Sequence, residues 1–170
     1  MENIEILEQI KEYLIENNLT LSVAESCTGG LVSSKLTDIS GASAFIFQNF
    51  VTYSNEAKHK ILKVKTNTLE NFGAVSENTA YEMSEGLLDW ADTSIATTGI
   101  LGPTGGSKEK PVGLCFISLG IKINNKKEIK VIKYNSKAAK TKSRTAIKQD
   151  IVDFALLSFL DFLKEKLRVN

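Results

Sequence analysis

The segment VAESCTGGLVSS, residues 23–34, places Ser26, Cys27 and Thr28 side by side and follows them with Gly29 and Gly30. Each of the three carries a hydroxyl or thiol able to attack an acyl carbon, but a hydroxyl needs a neighbouring base to do so at neutral pH. The chain has one histidine, His59, in the lysine-rich AKHKILK at 57–63. A solvated helix face is the plain explanation for it, and a Ser/His/Asp triad would rest on that residue alone. Lys58 is the more interesting base. If Ser54 or Asn55 caps a helix over 55–64, Lys58 lies about one turn in, where the positive end of the macrodipole disfavours an ammonium. Lys60 and Lys63 push the same way and burial would add to the effect; a lysine of lowered pKa is a competent general base. The alternative is one more surface lysine on an exposed helix.

Ser26 and Thr28 also suit a helix cap, and free amides around Thr28 to Gly30 at a helix N-terminus could hold an oxyanion or a phosphate. Cys27 is intrinsically more nucleophilic than Ser26, yet buried cysteines are commonly small core residues. Tyr53 could be a core aromatic with a satisfied hydroxyl. The loop GILGPTGGSKEKPVG, 99–113, contains neither GxxxxGK[ST] nor GxGxxG, so neither a Walker A loop nor a dinucleotide fingerprint is present, although its glycines permit a phosphate nest. Arg144, with Lys140 and Lys148 at four-residue spacing, could reach a phosphate or form a solvated stripe.

For these residues to meet, the chain must bring three loops together: 25–30, 53–58 and 98–107. The patterning predicts helices over 3–16, 31–39, 55–64, 76–91 and 138–167, and strands over 20–25, 45–54, 93–99, 114–121 and 128–134. The last two strands, joined by the polar NNKK, read as a hairpin. Strands interleaved with helices, followed by a hairpin, imply a three-layer α/β/α sandwich whose mixed, mostly parallel sheet contains at least one antiparallel strand. Ligands of open α/β sheets bind beyond the carboxyl ends of strands, where all three loops fall.

The whole of 1–170 suits one domain, with 42% hydrophobic and 24% charged residues. Its 21 basic and 20 acidic side chains nearly cancel, which with no aromatic stacking motif argues against nucleic acid as a partner. The acidic N-terminus is neither a secretory signal nor a membrane span. Cys27 and Cys115 form no CxxC pair, so a zinc site is not expected and a reducing, cytoplasmic setting is.

Taken together, AESCTGG (24–30), FVTYSNEAK (50–58), GAVSE (73–77), TGILGPTGGSKEKPVG (98–113) and the arginine of the last helix resemble the CinA C-terminal-domain family. The stand-alone members of that family are nicotinamide mononucleotide deamidases. The resemblance spans nearly the whole chain in the family's order and implies a Ser–Lys amidohydrolase of pyridine-nucleotide recycling. Such an enzyme releases ammonia from the mononucleotide and uses no metal or other cofactor. Carried onto this sequence, Ser26 would be the nucleophile, Lys58 its base and Tyr53 a supporting hydroxyl. Thr28, Gly29, Gly30, Thr98, Gly99, Gly105, Gly106 and Arg144 would hold the nucleotide, with Ser43 of GASAF as a further candidate. The expected assembly is a homo-oligomer, a dimer. Longer family members carry an N-terminal domain associated with pyrophosphatase chemistry, which is not assigned here. Leu101 and Thr104 stand where relatives often have alanine and aspartate. The alternative is a catalytically silent nucleotide-binding module.

Overall fold

The computed structural model describes residues 3–167. In chain order the elements are α1 (Asn3–Glu16), β1 (Leu21–Glu25), α2 (Leu31–Leu36), β2 (Ile46–Val51), α3 (Asn55–Leu62), α4 (Thr66–Phe72), α5 (Glu77–Leu87), β3 (Thr93–Gly99), β4 (Leu114–Ile123), β5 (Lys126–Asn135) and α6 (Arg144–Lys166). The strands form one sheet in the order β2-β1-β3-β4-β5. β1 runs parallel to both β2 and β3, while β3, β4 and β5 are successively antiparallel.

β1, LSVAE, is buried along its whole length because helices cover both faces of the sheet. Alternation assigns its side chains to two cores. Val23 joins Ile95, Ile117, Ile10, Ile151 and Phe159 under α1 and α6, whereas Ala24 joins Ala96, Leu62, Leu69, Met83 and Leu87 under α3, α4 and α5. The β4–β5 turn is tight: Asn124 and Asn125 both have positive φ (51° and 63°), as a two-residue hairpin requires.

Four helix readings change, two of them only at the C-terminal end: α2 stops at Leu36, not 39, and α5 at Leu87, not 91. The final helix starts at Arg144, not 138, because 139–141 form a 3₁₀ turn and Ser143 is the cap, its Oγ accepting from Ala146 N at 3.2 Å. Asp150 holds that preceding segment by accepting from Ser136 Oγ (2.6 Å) and Lys137 N (2.9 Å). α4 escapes the periodicity because TNTLENF has little apolar spacing. A long-range contact fixes it instead: the Glu82 carboxylate accepts from Lys65 N and Thr68 Oγ1, both at 2.7 Å. α5 in turn sets the position of α3. A Cβ on Gly86 would lie 2.0 Å from the Leu62 carbonyl oxygen, so only glycine permits this approach.

Candidate active site

The carboxyl ends of β1, β2 and β3 converge on Ser26. Its amide donates to Thr97 O at 3.1 Å, while Thr52 N donates to Glu25 O at 2.8 Å. Two residues further on, Ser54 caps α3, accepting from Ala57 N at 3.1 Å, and this sends Lys58 inward. Lys58 is only 1% exposed. Its Nζ lies 3.0 Å from Ser26 Oγ, 3.0 Å from Thr52 O and 3.1 Å from Tyr53 O.

This triplet determines what a neutral Lys58 does. A neutral amine has two N–H donors and one lone pair. Two of its neighbours are carbonyl oxygens, which can only accept, so they take the two donors. The lone pair is left for the hydroxyl of Ser26, which can donate. Burial lowers the Lys58 pKa from 10.5, partly opposed by the charge of Cys27 when ionised. The neighbouring lysines expected to help are already neutralised: Lys60 pairs with Glu56 at 2.6 Å and Lys63 with Asp89 at 3.0 Å.

The other candidates separate into three groups. Cys27 is a buried packing residue, its Sγ 3.8 Å from that of Cys115, whose thiol is pushed up by the Cys27 contact and by burial. Thr28 is also buried, its hydroxyl 2.7 Å from that of Thr97. Thr98 donates to Ala74 O at 2.7 Å. These threonine hydroxyls tie the end of β3 to the turn after β1 and to the loop between α4 and α5.

The glycine loop is shaped chiefly by its own packing. A Cβ on Gly99 would meet Leu114 O at 2.7 Å and one on Gly106 would meet Val112 N at 2.9 Å, while one on Gly105 (φ +86°) would make only an ordinary contact with Ile100 Cγ2 at 3.9 Å. Leu101 is buried in the core. Arg144 closes the loop over the site, its Nη1 donating to Gly102 O at 2.7 Å and its Nη2 to the Tyr53 hydroxyl at 3.1 Å. Tyr53 therefore touches the base through its carbonyl, and its hydroxyl faces the arginine.

Ser43 lies elsewhere in the chain. It sits in the 3₁₀ turn Ala42–Ala44, beside the start of β1, where Leu21 N donates to Phe45 O at 2.8 Å. Ser26 follows the other end of that strand, roughly 16 Å away at 3.3 Å per residue.

Sequence reasoning missed Glu25. Its buried carboxylate occupies the N-terminus of α2: Oε2 accepts from Gly30 N (3.1 Å) and Val32 N (2.9 Å), Oε1 from Ser33 N (2.8 Å) and Ser33 Oγ (2.7 Å). Gly29 N is used as well, donating to Ser26 O at 3.2 Å. The amides of Gly29 and Gly30, expected to meet an anion, are thus spent inside the protein. Among the described residues, those of Cys27 and Thr28 enter no hydrogen bond.

Beside this turn opens a cleft of about 450 Å³ lined by Gly29, Gly30, Ser34, Thr145 and Lys148. Lys148 Nζ lies 3.6 Å from where a Cβ on Gly29 would be. Among the described residues no three His, Cys, Asp or Glu side chains are grouped to hold a metal ion, and no helix is long and apolar enough to cross a membrane.

The CinA C-terminal domain profile matches residues 3–163. A CinA-like protein of Fusobacterium nucleatum subsp. nucleatum is 50% identical over 153 residues, 90% of this chain and 36% of its own length. One of Kosmotoga olearia is 47% identical over 157 residues, 90% and 38% respectively. The chain thus spans little more than a third of these curated relatives. Among solved structures it is similar to the competence/damage inducible protein CihA from Agrobacterium tumefaciens, with TM-score 0.85 and 40% identity over 96% of this chain and 97% of that one. It also resembles the competence damage-inducible protein A of Klebsiella pneumoniae subsp. pneumoniae, with TM-score 0.83 and 30% identity over 98% and 100%. With its mixed five-stranded sheet and nearly full-length match, the chain belongs to the CinA C-terminal domain family.

Proposed function

We propose that the protein is an amidohydrolase that converts nicotinamide mononucleotide to nicotinate mononucleotide and ammonia. The observation that carries this reading is the buried Lys58 Nζ, 3.0 Å from Ser26 Oγ and within 3.1 Å of two carbonyls that take the N–H donors of the neutral amine. Ser26 Oγ attacks the carboxamide carbon as Lys58 takes its proton. The oxyanion is met by the Cys27 and Thr28 amides. The protonated Lys58 then gives its proton to the departing ammonia, and water, deprotonated by the same amine, releases the acyl group from Ser26.

The substrate phosphate pairs with Lys148, which lines the cleft between α2 and α6, and with Arg144, which stands outside that lining and bonds Gly102 O and the Tyr53 hydroxyl. A silent binding module would have no use for a buried lysine amine held against a serine, which favours the enzymatic reading. The test is ammonia release from the mononucleotide, its riboside and the dinucleotide, beside Ser26→Ala. Turnover of the mononucleotide that Ser26→Ala abolishes supports the proposal. No ammonia from any of the three, or undiminished release by Ser26→Ala, overturns it.

The partner expected from the sequence is a second copy of the chain, and β2 supplies its seat. This edge strand, IFQNFV, carries no charge and exposes Phe47 (56%) and Val51 (52%). The opposite edge strand, β5, is guarded by Lys126, Lys127, Lys130 and Lys133.

A further inference from the structure

Glu25 precedes the nucleophile in the chain, is wholly buried, and has no part in the bond-making steps above. We infer that Glu25 is the positioning residue that sets Ser26 against Lys58. This inference rests on the Ser–Lys reading of the site and names what holds its geometry.

The turn between β1 and α2 cannot be held by α2 itself, because that helix is only six residues long and an isolated helix of that length has no stability of its own. The turn contains Gly29 and Gly30, both with positive φ (61° and 102°), and so has little intrinsic stiffness. Glu25 supplies the constraint. Its two carboxylate oxygens gather four donors from residues 30–33, which clamps the start of α2 to the end of β1. Ser26, Cys27 and Thr28 are the residues enclosed by that clamp.

The same residue reaches the base by its main chain. Glu25 O accepts from Thr52 N at 2.8 Å, and Thr52 O accepts from Lys58 Nζ at 3.0 Å. One residue therefore references the nucleophile through its side chain and the base through its carbonyl.

Its chemistry is specific as well. All four partners approach as donors, which an acceptor-only carboxylate suits. A glutamine cannot match it. With its NH₂ in the place of Oε1 the Ser33 amide loses its acceptor; in the place of Oε2, Gly30 and Val32 lose theirs. The clamp also spends the Gly30 amide and leaves those of Cys27 and Thr28 for the reacting carbonyl.

The test uses the full chain with Glu25→Gln and, as a milder companion, Ser33→Ala, which removes one donor of four and keeps the carboxylate. Each folded variant is treated with a small alkyl fluorophosphonate, which transfers its phosphonyl group to Ser26 Oγ with loss of fluoride, and labelling is timed by intact mass. kcat and KM on the mononucleotide are measured in parallel. Glu25→Gln should label about tenfold to a hundredfold more slowly, as misplacement of a reacting group by an ångström does. Its kcat should fall by a similar factor with KM within about twofold. Ser33→Ala should slow both severalfold. If Glu25→Gln does not fold, Ser33→Ala decides by the same measure. Labelling at the wild-type rate in folded variants of reduced stability would make Glu25 a purely structural cap and overturn the inference, as would a wild type that does not label. A wild type that labels at Ser26 but releases no ammonia sinks the deamidase reading alone, since the labelling rates still test Glu25.

Discussion

Replacing Lys58 by methionine removes the titrating amine and keeps a side chain of similar reach in a site only 1% exposed. Burial lowers the Lys58 pKa in the folded protein, whereas the unfolded chain carries an ordinary lysine near about 10.4. Between those two values the unfolded state binds a proton that the folded state has released, so wild-type stability rises with pH across the window. The favourable contribution of Lys58 is complete above the ordinary lysine value and is lost as pH falls through the lowered one. One proton is involved, so the slope reaches at most about 1.4 kcal/mol per pH unit. Lys58→Met lacks this slope. Its other effects do not depend on pH: the carbonyl of fully buried Thr52 loses its donor, at roughly 1–3 kcal/mol, and that of the exposed Tyr53 loses less, offset by relief of the amine's own desolvation. Urea unfolding of both proteins at half-unit steps from about pH 6.5 to 10 gives the difference curve directly. It should climb with pH, and the midpoint at which it begins to climb should coincide with the midpoint of the activity profile, because both report one amine. A flat difference curve would mean that Lys58 titrates as an ordinary lysine, and the general-base assignment would fail with it.

Arg144→Ala should raise KM for the mononucleotide by about tenfold to a hundredfold, the worth of a charge-assisted hydrogen bond. KM for the unphosphorylated riboside should move far less; equal losses on both substrates would make the arginine a strut between Gly102 and Tyr53. At the sheet edge, Phe47→Glu should convert a dimer to a monomer in sedimentation at micromolar concentration, since two carboxylates would face each other across the symmetry axis. A wild type that is already monomeric there refutes the β2 interface.

Local signals in the sequence carried most of the fold. Of the two residues expected to cap α3, Ser54 does so, and α5 begins within one residue of its expected start; the Asn124–Asn125 turn makes the hairpin, and the mixed sheet follows from strands interleaved with helices. What escaped was fixed by partners distant in sequence. α4 depends on Glu82, and the 136–138 segment on Asp150. The pairing of Ser26 with Lys58 could be suggested by residue type, but its geometry depends on the carbonyls of Thr52 and Tyr53, which no side-chain pattern encodes. Of the causes expected to lower the Lys58 pKa, burial acts, whereas the neighbouring lysines are paired with Glu56 and Asp89, partners that the residue spacing around Lys58 did not point to. Glu25 was hidden because three of its four partners are amides, the first five residues downstream, and so it forms no capping box of the S/T-x-x-E kind. Ser43 was picked out by residue type alone, and its place beside the start of β1, away from the end that leads to Ser26, was not legible from that type.

The closeness of Gly86 to Leu62 bears on whether this Ser–Lys pair can be moved. α3 has only eight residues and takes its place from whatever it leans on, and its last turn leans on the one position of α5 that has no side chain. A designer who grafted Ser26 and Lys58 onto another scaffold, copying each visible contact of the two side chains, would still omit part of the specification. The depth at which Lys58 sits, and with it how much water its amine loses, is set by an atom that is missing from residue 86. Basicity at this site is written partly as empty space, on a helix that supplies neither member of the pair.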